Sequence, residues 1–386
     1  MQSGFYIKQL ATGMLLSIVL LPSGNLFAAE HTDTPENKGW LDTLLEELGA
    51  SEQLELDKGI DWGVLPGPFV NPLQGFGIGV AAIGLYSPKG RQESTQISTL
   101  GIKSYVSTSG SYGLGVENRT YLGDDSWRLE LDGWISESPR DYWGIGMQAA
   151  QQPVNKTAVE ASVLELSPRV AYRLLPNTYA TLGWELQSYR DMSADGPALS
   201  PAELQDTDIS GISLGLAYDS RDFAPNAWEG VLVSAKYDDY TAAMGADRNF
   251  RRLTLNYRQY QRLAPSLVLA WELFGQGVEG DVPWFALSEM GRDGRMRGYY
   301  QGQYRDRYQF NGQVELRQQL TERHGLVYWA GAGTLGQQRS ELFHGEWLPT
   351  FGVGYRLAFK PRVNVRFDLG LGKDSSGFYF QINEAF

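Results

Sequence analysis

Cysteine is absent from this 386-residue chain, and histidine occurs only three times, at His31, His324 and His344, far apart in sequence. The first absence excludes disulfide frameworks and thiolate metal sites, and suits a chain that folds in an oxidising compartment without cross-links. The second leaves no histidines at metal-ligand spacing, so neither a metal site nor a cofactor is expected. Beyond its first thirty or so residues the chain has no run of 18 or more apolar residues, which excludes a membrane-spanning helix. Basic residues are the minority, 33 against 45 acidic, for a formal charge of -12. Nucleic-acid binding calls for a basic patch, so nucleic acid is not an expected partner.

Glycine, by contrast, is abundant at 45 residues, and 21 Tyr, 16 Phe and 11 Trp accompany it. At the N-terminus, Lys8 precedes the apolar run LATGMLLSIVLL, and small residues follow at Ala28 and Ala29. That order is a secretory signal peptide, expected over residues 1–29. Residues 30–71 read as a short periplasmic linker. Within it Trp40, Leu41, Leu44, Leu45 and Leu48 fall at helical spacing, which predicts one short helix.

From residue 72 to 386 one pattern recurs. In RVNVRFDLGLG, residues 362–372, Val363, Val365, Phe367, Leu369 and Leu371 alternate with Asn364, Arg366, Asp368 and Gly370. SWRLELDGWI, VLELSPRVAYR and RRLTLNYRQY behave the same way. Successive strand side chains point to opposite faces, so each segment lies between an apolar and a polar medium. Fifteen such segments run from 73–86 to 376–386. Bacterial single-chain barrels have an even strand count, so sixteen are expected, with the unseen one placed in 140–155. Short links such as KP (360–361) and TERH (321–324) alternate with long ones such as 279–306 and 337–346. Long loops on one side and tight turns on the other are the habit of outer-membrane barrels. The expected fold is therefore an all-β transmembrane antiparallel barrel of about 16 strands, apolar side chains facing outer-membrane lipid and charges facing the lumen.

A barrel of that size leaves an aqueous channel unless something fills it. The longest connection carries GRMRGYY, residues 294–300, in which Arg297, Gly298 and Tyr299 stand out. A guanidinium binds a carboxylate with two hydrogen bonds, and Glu315 and Asp368 lie on polar faces of nearby strands. The residues alone fit equally a loop folded into the lumen and pinned there, and a solvated surface loop.

MRGYYQGQYRDRY resembles the conserved loop-six motif of the BamA/TamA-like outer-membrane barrel superfamily, the bacterial surface antigen family. AYDSRDFAPNAWEGVLV, RDYWGIGM and the terminal GFYFQINEAF resemble further pieces of that family, so that the likeness covers most of 72–386. The resemblance implies a sixteen-stranded barrel with the Arg297 loop inserted in the lumen. It also implies a terminal assembly signal carried by Phe378, Phe380 and Phe386. Two departures stand out. The segment before residue 72 is too short for the polypeptide-transport domains that members inserting or secreting proteins carry. Where many members place an Asp on the strand after loop six, this chain has Ala330.

Closure of such a barrel joins first strand to last. Gly75, Gly77 and Gly79 in the expected first strand would make a soft seam, since glycine weakens a strand, and an exposed edge accepts an incoming strand. The function expected is assistance in assembly, insertion or translocation of other outer-membrane or secreted proteins, or of lipids, with a passive diffusion channel as the alternative. Residues 40–50 are a candidate contact for a separate periplasmic protein. No enzyme is expected. Gly211-Ile-Ser213-Leu-Gly215 spells a nucleophile elbow and Gly331-Ala-Gly333-Thr-Leu-Gly336 a dinucleotide fingerprint, but neither lies between a strand and a helix.

Overall fold

The computed structural model describes residues 40–51, 53, 54, 56, 59–71, 75–89, 95–292 and 294–386. The expected signal peptide and the first part of the linker lie outside the described residues. A helix, α1 (Trp40–Glu47), comes first. The strands that follow are β1 (Asp61–Asn71), β2 (Gly75–Tyr86), β3 (Ser98–Ser107), β4 (Tyr112–Leu122), β5 (Trp127–Glu137), β6 (Thr157–Leu175), β7 (Thr178–Asp195) and β8 (Thr207–Asp219). The second half adds β9 (Gly230–Tyr240), β10 (Phe250–Ala264), β11 (Leu267–Gly280), β12 (Tyr308–Gln319), β13 (His324–Gly336), β14 (Leu348–Lys360), β15 (Val363–Gly372) and β16 (Ser375–Ile382). Each pairs antiparallel with the next. A three-residue strand, Arg140–Tyr142, continues β5 alongside β6.

The all-β barrel of sixteen strand positions is as the alternation predicts, but the sixteenth strand is elsewhere. Residues 140–155 supply the three-residue strand Arg140–Tyr142 and two helical turns, Met147–Ala150 and Pro153–Asn155, but no barrel-spanning strand. The additional strand is Asp61–Asn71, within the expected linker. Its sequence, DWGVLPGPFVN, hides the pattern because Pro66 and Pro68 argue against a central strand. Proline is accepted in an edge strand, and β1 is one: among the described residues it pairs with β2 and not with β16. Gly75, Gly77 and Gly79 therefore lie in the second strand, paired with β1, and Gly77 and Gly79 also with β3. They are not at the open edge, and the seam reading of these three glycines is corrected accordingly.

The sheet is turned inside out relative to a soluble one. On β14, Phe351, Val353 and Tyr355 face outward while Thr350 and Arg356 are buried; on β15, Leu369 and Leu371 face outward while Arg366 and Asp368 are buried. On β12, Val314 is exposed between buried Gln313 and Glu315. A water-soluble barrel would bury the apolar set; here hydrocarbon covers it.

Connections fix the two ends. Turns such as 176–177, 265–266 and 361–362 make the periplasmic rim, and the long connections 196–206, 281–307 and 337–347 the outer one. At the outer end Tyr142, Val163, Tyr189, Ile209, Tyr240 and Phe250 close over the lumen. Trp284 and Phe285, from the 281–307 connection, complete this cap; Phe285 stacks on Tyr189 at 3.7 Å.

Candidate functional site

The 281–307 connection descends from that cap into the lumen and returns. Its two arms are clasped by a short ladder, Ser288–Glu289 against Arg305–Asp306, and by an Arg305–Glu289 ion pair at 2.8 Å. Below the ladder Met290, Met296, Tyr299 and Tyr304 pack on Leu335 and Leu348 of the wall. The tip is thereby delivered to the middle of the barrel.

There Arg297, fully buried, meets two fully buried carboxylates, Glu315 of β12 and Asp368 of β15. The Asp368 contact is 2.6 Å. Beneath the guanidinium lies the Trp329 indole, 3.7 Å from its centroid. The carboxylates are themselves shared. Arg317 reaches Glu315 at 2.9 Å, and Arg356 reaches Asp368 at 2.6 Å. The stretch of backbone that carries Arg297 is fastened as well: Thr350 donates to the Arg297 carbonyl, and the Gly298 N–H donates to the Tyr379 hydroxyl at 2.8 Å. The Tyr299 hydroxyl donates to the Pro349 carbonyl at 2.6 Å and accepts from the Lys373 N–H.

Gly298 has φ +106°, and a Cβ there would lie 2.6 Å from the Leu371 carbonyl carbon. Only glycine fits such an approach. A second clasp lies beside the first: Arg295 grips Glu272 of β11 with two hydrogen bonds of 2.8 and 2.9 Å, and Arg258 and Gln313 share that carboxylate.

The chain end enters the lumen too. Asn383 adopts φ +68°, and Glu384, Ala385 and Phe386 then turn inward. Glu384 binds Arg356 at 2.7 Å, and the Phe386 ring packs on Tyr260, Ala227 and Ala270. Burial disfavours the Glu384 charge, but Arg356 and Arg317 outweigh it and hold the carboxyl below the ordinary glutamate value. Of the three residues expected to carry an assembly signal, Phe378 is exposed outward, Phe380 is partly buried against Phe367, and Phe386 is in the lumen. Below this layer a cavity of about 410 Å³, lined by Arg317, Arg356, Arg362, Asn364 and Glu384 among others, opens at the periplasmic rim.

The structure thus brings Arg297, Gly298, Tyr299, Glu315 and Asp368 together and leaves the glycines 75, 77 and 79 apart from them. Sequence reasoning missed Arg317, Arg356, Glu272 and Trp329. Arg317 carried a signal, since it lies two residues from Glu315 and therefore on the same face. Ala330 faces outward, so no carboxylate at that position would reach the lumen. Among the described residues no cluster of metal-ligating side chains is present.

The seam is held by side chains and by α1. The Leu48 carbonyl accepts from the Val64 N–H of β1 at 2.8 Å, and the Ser51 N–H donates to Phe359 of β14 at 3.2 Å. Leu45, Leu65, Phe359 and Val365 form one cluster, with Phe380 and Ile382 packed against it. Lys360 and Asp61 pair at 2.6 Å. The segment after α1 therefore bridges β1 and β14, and among the described residues no β1–β16 ladder is present.

Residues 95–386 match the model of the Omp85 superfamily domain. No curated protein matches the chain. Among solved structures, a BamA from Haemophilus ducreyi lacking POTRA domains 1–3 is similar at 12% identity and a TM-score of 0.50, over 88% of this chain and 76% of that one. CdiB from Escherichia coli is similar at 10% identity and a TM-score of 0.58, over 83% and 62%. CdiB from Acinetobacter baumannii is similar at 11% and 0.52, over 85% and 66%. The chain spans about two thirds of the CdiB chains it resembles. At these identities the structures speak for the fold alone, while the family match covers most of the sequence: this chain belongs to the Omp85 superfamily and is a β-barrel of the outer membrane.

Proposed function

We propose that this barrel assists insertion or translocation of other polypeptides at the outer membrane, acting at the seam between β1 and β16, with its own lumen kept shut by the Arg297 loop. The observation that carries the reading is the combination of a stoppered lumen and an unzipped wall. A diffusion pore needs the opposite, a clear lumen and a closed wall. Here five charged side chains, Arg297, Glu315, Asp368, Arg317 and Arg356, cross-link loop to wall. The end strands, by comparison, have among the described residues only side-chain contacts and the α1 segment between them.

The family match supports that direction. A depletion strain, scored for outer-membrane protein levels, tests the role; unchanged levels would refute it. Planar-bilayer recording tests the channel alternative. Small, unsteady currents that grow in Arg297→Ala agree with a plug, whereas large, steady, ion-selective current in the unaltered protein would favour a porin.

A further inference from the structure

Positive charge gathers at the periplasmic end of the lumen. The chain as a whole is acidic, with 33 basic residues against 45. Yet among the described residues the cavity of about 410 Å³ at the periplasmic rim is lined by Arg317, Arg323, Arg356, Lys360 and Arg362, with Glu322 and Glu384 against them. The cations come from separate elements: Arg317 from β12, Arg323 from the β12–β13 turn, Arg356 and Lys360 from β14, and Arg362 from the turn into β15. Alternation along β12 and β14 brings Arg317 and Arg356 to the lumen, and the tight turns place Arg323 and Arg362 at its mouth.

Most of their carboxylate partners stand behind them rather than in the cavity. Arg317 binds Glu315, Arg356 binds Asp368, Lys360 binds Asp61 and Arg362 binds Asp222, and none of these four acids lines the cavity. Arg356 is 4% exposed. Its Nε donates to Glu384 and its Nη1 to Asp368, while the buried Nη2 has no hydrogen-bond partner among the described residues. A buried donor on a charged group is costly to leave unpaired, so this position calls for an acceptor. At the mouth, Arg262 and Arg362 both pack on the Trp228 ring, their guanidinium carbons 4.7 and 4.0 Å from its centroid. Burial, with Arg262 nearby, pushes Arg362 below the ordinary arginine value despite Asp222. Negative charge in the cavity would relieve it.

We propose that this cavity is a binding site for a phosphoryl group carried on a small organic moiety. The donors decide the first part. One guanidinium fork satisfies a planar carboxylate, whereas here donors approach from β14 and from two turns, which suits a tetrahedral group with three acceptor oxygens. The walls decide the second part. Trp228, Val268, Val327 and Phe359 line the cavity beside the cations, and its volume falls in the range of small-molecule sites, about 300–1,000 Å³. The cavity opens at the periplasmic rim, where a soluble phosphate ester and a phospholipid headgroup both present this chemistry. Arg356 also holds Asp368, the partner of Arg297, so the bound group adjoins the loop clasp through one side chain.

The test uses the full chain in dodecyl maltoside and phosphate-free buffer, with glycerol 3-phosphate as the soluble probe and calorimetric titration as the readout. Saturable binding is expected. It should be about tenfold weaker in Arg362→Gln and in Arg323→Gln, the loss that goes with one charged hydrogen bond, and unchanged in Arg339→Gln, an exposed arginine of the outer connection. Heat-modifiable migration checks the fold of each variant. Should both cavity variants fail to fold, the unaltered chain still decides, because bound probe should protect Arg362 and Arg323, but not Arg339, from phenylglyoxal. Binding of phosphatidylglycerol in nanodiscs, lost in the same variants and without any response to the soluble ester, would assign the site to a headgroup and uphold the phosphoryl reading. Glutarate bound as tightly as glycerol 3-phosphate would overturn it in favour of a carboxylate. Failure of both phosphate sources to bind, or binding indifferent to Arg362 and Arg323, would refute the site.

Discussion

The Arg297 guanidinium carbon sits over the Trp329 indole, 3.7 Å from its centroid, and its two terminal nitrogens donate to Asp368 and Glu315. The aromatic face removes water from one side of the cation, and the carboxylates accept from its two terminal nitrogens. An arginine fits this slot because its donors are planar and splayed; lysine is a point charge with neither property.

Arg297→Ala should accordingly cost about 3–5 kcal/mol, the usual penalty for breaking a buried pair and orphaning its partners. Loss of heat-modifiable migration at a lower temperature would register it. Arg297→Lys should fall between wild type and Ala, because it restores charge without the fork. Equal stability of all three would show that the network does not hold the loop.

Gly298→Ala should destabilise by about 1–3 kcal/mol, the range for a residue forced into a sparse backbone region. The added Cβ also meets the Leu371 carbonyl carbon at 2.6 Å. The loop would be expelled with Arg297 intact, so bilayer currents should rise as they do in Arg297→Ala. A silent substitution would mean the tip tolerates displacement.

Glu384 sets an acid limit. Its folded-state carboxyl lies below the 4.5 of a free glutamate, so its contribution is present above that value and fades as pH falls through the lower folded-state one. Thermal unfolding of wild type and Glu384→Gln, followed from pH 7 to 3, should show the difference between the two shrinking at the acid end. A constant difference would exclude the ionised Glu384 as its source.

Leu255 and Thr254 are neighbours on β10 facing opposite media; Leu255 is 49% exposed. Leu255→Arg should cost about 2–4 kcal/mol, as a cation near the bilayer midplane does, and Thr254→Arg, beside Gln276 in the lumen, markedly less. Folding into lipid vesicles, titrated with urea, measures both. The reverse order would place lipid on the wrong face.

By itself the sequence determined the medium and therefore the fold class: ten-residue alternation without a long apolar run admits strands and not helices in a membrane, and RVNVRFDLGLG states which residues meet which side. It also named Arg297, Glu315 and Asp368, since an arginine- and glycine-rich loop and inward carboxylates are local features. Three things only the tertiary structure decided. The sixteenth strand is β1, because proline suppresses the strand pattern while an edge tolerates it. The inward turn of Phe386 and the Trp329 floor depend on groups brought together from distant strands. The open seam depends on which backbone groups of β1 and β16 face each other, and that is a matter of pairing parity, which a single strand read alone cannot express.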